Sequence, residues 1–354
     1  MKVTKSMGVI LPDTTITKMD PVFLDTEKAP FRLYGFCENF RRVPKDVAAA
    51  TSEAVATLAE YSTGGRVRFR TDSDYIVVHA DTSRADPMAS WSIAATIGFD
   101  VYFCENGKQH FKGTFFPSQD TGKTFIESRL CFEEKGMKDV IINFPLFAAI
   151  DKFYVALREG SELDYGSEYK YEKPFVVYGS SIVNGVGAGR PGTEYPAEIS
   201  RRLDCDFVNL GFSGAAKAEQ AMIEYISGLD MCVFVYDYDH NAPSPEYLEA
   251  THYKGYKYFR EKNPGVPVIM VSKPDYHFNN HVDNERRRQT IIADYNRARA
   301  EGDELVWFVD GSLIYPEDLR DVCTVDGCHP NDVGYLYMAK KIGAAVKEAL
   351  DKIS

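Results

Sequence analysis

The sequence predicts two domains: a β-sandwich of short strands over residues 1–165, then an α/β domain with a parallel sheet over residues 166–354. Three observations predict this. Before residue 165, short β-rich segments are separated by turns. After it, apolar runs of strand length alternate with longer runs of helical character. The first of those runs, Phe175-Val176-Val177-Tyr178, ends in Gly179-Ser180-Ser181-Ile182. Short strands at such spacing predict a sandwich, whereas strands alternating with helices predict a parallel sheet covered on both faces.

In the first half, Arg66-Val67-Arg68-Phe69-Arg70 alternates charged and apolar residues with the period of a half-buried strand. Thr71–Asp74 turns into a second strand, Tyr75–His79, and Gly98–Phe103 and Asp139–Phe144 supply two more. The Ala-rich stretch 47–58 reads as a helix, with a loop or strand edge as the alternative. In the second half the strands are Phe175–Tyr178, Asp206–Leu210, Met231–Tyr236, Val268–Val271 and Leu305–Val309. The helices are Tyr195–Leu203, Lys217–Ile226, Pro245–Lys262, Asn284–Ala300 and Val333–Leu350. Gly302 stands just past the fourth helix, where positive φ is common, and Asn331 or Asp332 caps the last.

Composition narrows the function classes. With 44% hydrophobic residues in 354, two ordinary cores are expected, and a net charge of −11 excludes a nucleic-acid binder that works through clustered Lys and Arg. No apolar stretch approaches the length of a membrane span. The first ten residues show no signal-peptide pattern, and the seven scattered cysteines read as reduced thiols, so cytoplasmic residence is expected.

The chemistry collects at the ends of the predicted parallel strands, where open α/β sheets place it. A serine hydroxyl is a weak nucleophile until a base takes its proton. Ser181 is the candidate nucleophile, His329 the base and Asp326, in Asp326-Gly327-Cys328-His329-Pro330, the acid that orients it. A tetrahedral intermediate needs donors for its oxyanion. The backbone N–H groups of Ser181 and Gly214 and the side-chain amide of Asn241 are the candidates, and each follows a different consecutive strand.

In that order, Gly179-Ser180-Ser181-Ile182, Gly214, Asn241 and Asp326-x-x-His329 resemble the four blocks of the SGNH/GDSL hydrolase superfamily over residues about 174–350. The resemblance implies a flavodoxin-like, three-layer hydrolase domain, with Ser181 as nucleophile and Gly214 and Asn241 as oxyanion donors. Gly98-Phe99-Asp100-Val101-Tyr102 resembles the Gly-x-Asp-Leu-Tyr signature of a β-rich, jelly-roll-like domain found ahead of one branch of these enzymes, and Arg190–Pro196 is similar to that branch too. Two positions depart from the pattern: Ser180 stands where the family commonly has Asp, and Ala215 where related sequences often carry Asn. The arrangement is similar to two-domain carbohydrate esterases. It implies a serine esterase that removes small acyl groups, acetyl first among them, from carbohydrate. A lipase or thioesterase acting on longer acyl esters, and a non-catalytic carbohydrate-binding protein, are the alternatives.

Other polar residues are given plainer readings. Asp237, Asp239 and His240 do not have metal-ligand spacing, so no metal and no cofactor is expected, and Asp239 and His240 are read as shaping the loop that presents Asn241. Cys323 and Cys328, without a Cys-x-x-Cys pair, are read as buried thiols near the catalytic loop. Arg286-Arg287-Arg288 is read as a solvated helix face. The polar and aromatic run Lys273–His281, within the connection 272–290, fits a lid or subunit contact as well as an ordinary surface loop. The expected partner is an acylated small molecule or oligosaccharide, with neither nucleic acid nor membrane, and a homo-oligomer is compatible with this reading.

Overall fold

The computed structural model describes residues 1–87, 91–117, 124–278 and 281–353. The chain forms two compact units, but they do not divide at a single point. Residues 43–59 belong with 170–188 and 193–354, and residues 189–192 belong with 1–42 and 60–169. No helix among the described residues is long and apolar enough to cross a membrane.

The first unit is antiparallel. Its strands are β1 (Pro21–Asp25), β2 (Arg32–Tyr34), β3 (Arg66–Thr71), β4 (Tyr75–Ala85), β5 (Phe99–Glu105), β6 (Lys108–Phe115), β7 (Phe125–Cys131), β8 (Lys138–Asn143), β9 (Ala148–Arg158) and β10 (Leu163–Tyr165). One sheet has the order β1-β9-β4-β7; the other runs β10-β3-β8-β5-β6, with β2 on β3. Alternate residues of both sheets, Ile76 and Val78 of β4 with Val101 and Phe103 of β5 among them, enter one core beside Phe99, Phe144 and Phe153. Burying each such side chain contributes about 1.5–3 kcal/mol. Of the charged face expected for β3, only Arg70 is exposed. Arg66 and Arg68 are buried: Arg66 Nε donates to the Tyr169 hydroxyl at 3.1 Å, and the Arg68 guanidinium lies 4.4 Å from the Tyr169 ring centre. A neighbouring aromatic can cover a guanidinium plane, so alternation of charge does not by itself predict exposure.

The second unit is a parallel sheet of β11 (Tyr171–Gly179), β12 (Cys205–Gly211), β13 (Val233–Asp237), β14 (Val268–Val271) and β15 (Val306–Val309), in the order β12-β11-β13-β14-β15. Phe175 to Tyr178 are all inaccessible, because both faces are covered. Val176 and Tyr178 pack with helices Gln220–Ser227 and Pro245–Lys262. On the other face Phe175 stacks on Phe207, and the buried residues of helices Tyr195–Leu203 and Asp332–Ile353 close the layer. The stretch expected as a helix near 47–58 forms two, Lys45–Thr51 and Glu53–Leu58, split by Ser52, whose hydroxyl accepts from Val55 N. Ala48, Val55 and Ala59 pack in the core of this second unit. Helix 220–227 starts three residues later than expected, after Ala218 at φ 55°. Asn331 caps the last helix, accepting from Val333 N and Gly334 N, and Gly302 has φ 93°.

Candidate active site

The serine loop follows β11, an interior strand of the sheet. β11 lies between β12 and β13, so the chain moves to one side of β11 and then to the other, and open α/β sheets place their ligands at the carboxyl edge where the order switches. Register fixes the rest: Gly179 pairs with Gly211 of β12 and with Asp237 of β13. Ser181, Gly214 and Asn241 follow those three residues within a few positions, so all three stand on one edge.

The loop 180–188 is held by its own backbone and by buried polar side chains. Val186 N donates to Ser181 O at 3.0 Å and Asn184 N to Ser180 O at 3.0 Å. The Tyr335 hydroxyl bridges Ile182 O and Val186 O at 2.9 and 2.7 Å. Asn209 Nδ2 reaches Val183 O at 2.7 Å and Glu194 Oε2 at 2.6 Å. Gly187, at φ 91°, lets this loop meet the other: a Cβ there would stand 2.2 Å from Pro330 O. The 324–330 segment closes on itself through a Thr324–Pro330 bridge and Val325 N to His329 O at 2.9 Å.

These two loops bring Ser181, His329 and Asp326 together. Ser181 Oγ is 2.9 Å from His329 Nε2, and His329 Nδ1 is 2.7 Å from Asp326 Oδ2. Asp326 Oδ1 accepts from the backbone N–H groups of His329 and Cys328 at 2.7 and 3.0 Å, which fixes the carboxylate so that Oδ2 accepts a hydrogen bond from Nδ1–H and Nε2 is left to accept from the serine. Burial raises the Asp326 pKa, but its hydrogen bonds with His329 outweigh that and lower it. Burial pulls His329 down, while hydrogen bonds to Cys328 and Asp326 raise it above its ordinary value.

Asn241 ends a short turn, Asp239–Asn241, and its Nδ2 donates one hydrogen to Phe212 O at 2.8 Å, leaving a second. Gly214 has φ 70°, which favours glycine, and a Cβ there would meet open space. Asp239 does shape this loop, and its partner is a residue given another reading by the sequence. Arg287 is buried: it donates to Asp239 O and Ala242 O at 2.8 Å each and pairs with Asp239 Oδ1 at 3.3 Å. Asp239 Oδ2 accepts from Lys273 N at 3.0 Å. The arginine triplet is therefore not one solvated face: Arg287 is turned inward while Arg286 stays exposed. Arg288 pairs with Asp310, and Arg286 with Glu246 and Glu249. Nothing in the local sequence separates Arg287 from its neighbours; only the fold turns it inward.

Of the two cysteines near this loop, Cys323 is buried but Cys328 is only half-buried, with Sγ 3.5 Å from His240 Nε2. Burial pushes the Cys328 thiol up, yet hydrogen bonds to His240 and His329 bring it down to about 7. His240 is lowered by burial and raised more by Asp275 and Cys328, to about 10. Residues far apart in sequence thus make a His240–Asp275–Cys328 cluster that spacing did not reveal. In the 273–281 run, Tyr276 Oη donates to Glu285 at 2.6 Å and His277 Nε2 lies 3.0 Å from Ser312 O, which ties down its first part. Asn279 and Asn280 lie outside the described residues, so the lid reading of that connection does not extend to them.

In the first unit, Asp100 of the Gly98–Tyr102 motif is fully buried. It accepts from Asn143 Nδ2 at 2.7 Å and Gly192 N at 2.9 Å, and pairs with Arg190 at 2.7 Å. Arg190 also donates to the Tyr102 hydroxyl.

Comparison with known proteins follows the same division. Residues 172–347 match the GDSL-like lipase/acylhydrolase family, and residues 22–163 match the N-terminus of the SGNH-hydrolase-type esterases. No curated protein matches the sequence. Among solved structures, a putative GDSL-like lipase from Bacteroides ovatus is similar with a TM-score of 0.84 and 26% identity, over 94% of this chain and 98% of that one. A salicylyl-acyltransferase from a tetracycline biosynthetic pathway is similar at 0.75 and 19%, over 93% and 99%. A family two carbohydrate esterase from Clostridium thermocellum, in complex with cellohexaose, is similar at 0.58 and 16%, over 82% and 93%.

Proposed function

From the premise that the chain belongs to the GDSL-like lipase and acylhydrolase family, with the N-terminal part of the SGNH-type esterases ahead of its hydrolase unit, we propose a serine esterase that removes small acyl groups, acetyl first among them, from a carbohydrate. The observation that carries the reading is the unbroken hydrogen-bond chain Ser181–His329–Asp326, at 2.9 and 2.7 Å, on the sheet edge that also carries Gly214 and Asn241. Ser181 Oγ attacks the ester carbonyl as His329 Nε2 takes its proton. Asp326 holds the Nδ1 proton and stabilises the imidazolium. The N–H groups of Ser181 and Gly214 and the free hydrogen of Asn241 Nδ2 receive the oxyanion. His329 then protonates the departing sugar oxygen, and water repeats the sequence on the acyl-enzyme to release the acid.

The carbohydrate half of the proposal is supported by the fold shared with the cellohexaose-bound esterase. The small acyl group is the simplest that such a site must hold, and it sets the experiment. Acetate release is measured from acetylated xylan, mannan and pectin oligosaccharides, beside nitrophenyl acetate and octanoate, for the native protein and S181A. Release from one glycan, lost in S181A, is expected. Preference for octanoate over every acetyl ester would move the reading to a lipase, and undiminished release by S181A would refute the mechanism.

A further inference from the structure

His240, Asp275 and Cys328 are not a second relay. In a hydrogen-bonded relay the carboxylate takes the ring nitrogen opposite the nucleophile, as Asp326 does on His329. Here both partners converge on one nitrogen: Cys328 Sγ at 3.5 Å and Asp275 Oδ2 at 3.1 Å from His240 Nε2. One Nε2 proton is shared between two acceptors and leads nowhere. A metal ion suits the same geometry. A tetrahedral zinc with Zn–S of about 2.3 Å and Zn–N or Zn–O of about 2.0–2.1 Å separates S from N by about 3.5 Å and N from O by about 3.3 Å. The three ligand atoms already lie within 4.8 Å of one another.

A second observation points to a ligand. Asp275 is buried, and its other oxygen, Oδ1, has no hydrogen-bond partner among the described residues. The Tyr315 hydroxyl is likewise buried without a partner, in the field of Asp275 and Cys328. Buried polar atoms are seldom left so unless something else satisfies them. Lys273 Nζ, 3.4 Å from Asp275 Oδ2, is the charge an ion would displace, and its flexible stem lets it yield.

We propose that His240, Asp275 and Cys328 bind a soft divalent cation of the zinc type, and that the bound ion switches off the neighbouring Ser181–His329–Asp326 relay. Binding removes the thiol proton of Cys328 and the Nε2 proton of His240. Zinc held by three residues keeps a fourth position, and the ligand atoms of Asp326 and His329 lie within 4.8 Å of Cys328 Sγ, so the ion draws one of them out of the relay. The ion is an inhibitor here, and hydrolysis runs without it. The inhibitory half rests on the esterase reading; the binding half does not.

The test uses the full chain after chelation. Cobalt(II) titration reads the site itself, through the near-ultraviolet absorption of a thiolate-to-cobalt bond, and zinc titration of nitrophenyl acetate turnover reads the inhibition. One equivalent of cobalt is expected to develop the band in the native protein and not in C328S. Zinc inhibition is expected to be reversed by EDTA, and to weaken by at least about tenfold in C328S and in D275N, each scored against its own metal-free rate. H240Q gives a third variant should either fail to fold by circular dichroism. Absence of the band and of inhibition at millimolar zinc overturns the proposal. So does an affinity lost in C328S but intact in D275N, which would place the ion on Asp326, Cys328 and His329 instead. A band without any turnover to inhibit would sink the esterase reading and leave the site standing.

Discussion

Arg287 offers the sharpest test of how the Asn241 loop is built. R287M keeps the length of the side chain and removes the charge. Two carbonyls, Asp239 O and Ala242 O, lose their donors, and the carboxylate of Asp239, 1% exposed, keeps Lys273 N on Oδ2 but loses its cation. Removing one partner of a buried pair costs about 3–5 kcal/mol, because the remaining charge stays desolvated. Asn241 lies between the two carbonyls that lose their donors, so its amide shifts with them, and the loss of one oxyanion donor costs about 10²–10³ in turnover. Urea unfolding of native protein, R287M, D239N and the double variant measures the first effect. The double variant is expected to be more stable than R287M, since neutralising Asp239 removes the orphan charge. Nitrophenyl acetate kinetics measures the second, as a fall in kcat at little-changed KM. A loss below about 1 kcal/mol together with unchanged kcat would refute the reasoning, because it would mean that the buried pair neither holds the loop nor places the amide.

Three further outcomes are expected. N241A lowers kcat by about 10²–10³ with its melting temperature nearly kept; an unchanged kcat removes Asn241 from the oxyanion site. His329 works as a base only when neutral, so activity falls as pH drops through its raised pKa; C328S, in metal-free buffer, removes one of the bonds that raise it, and the acid limb of kcat/KM is expected to move to lower pH. Asp237, buried and pushed up to about 7 despite the Tyr195 hydroxyl at 2.7 Å, contributes stability that is full below about pH 4 and lost as pH rises through 7, roughly 4 kcal/mol in all; D237N should lack that decline, and equal urea midpoints for the two proteins across pH 4–8 would contradict it.

The parallel strands were legible because both of their faces are buried. Val268–Val271 reads as an unbroken apolar run and is β14 to the residue. Four strands of the first unit, β3, β4, β5 and β8, were read at their positions, and others were missed. β6 is a sheet-edge strand of mixed polarity, Lys108–Phe115, with no apolar period to find, and in β9 the exposed Asp151 and Lys152 interrupt the apolar run. The serine, glycine and asparagine candidates could be placed together because each sits just after a strand, where sequence order and spatial order agree in a parallel sheet; Asp326 and His329 lie two short helical turns beyond β15 and stood out only by their own spacing. Arg287, Asp275 and His240 were not legible, because their roles arise from pairing across distant segments. Gly98–Tyr102 and Arg190–Pro196 stood in the sequence as two separate resemblances; that Asp100 and Arg190 form one ion pair is visible only in three dimensions.

Gly187 gives the reacting pair an unusual kind of ruler. Because main chain rests on main chain at Pro330, the spacing between nucleophile and base is gauged by atoms common to every residue type. Side chains around the rim can be exchanged to suit another ester while that gauge stays as it is. A methyl group at 187 would instead act as a wedge between the loop that carries Ser181 and the loop that carries His329.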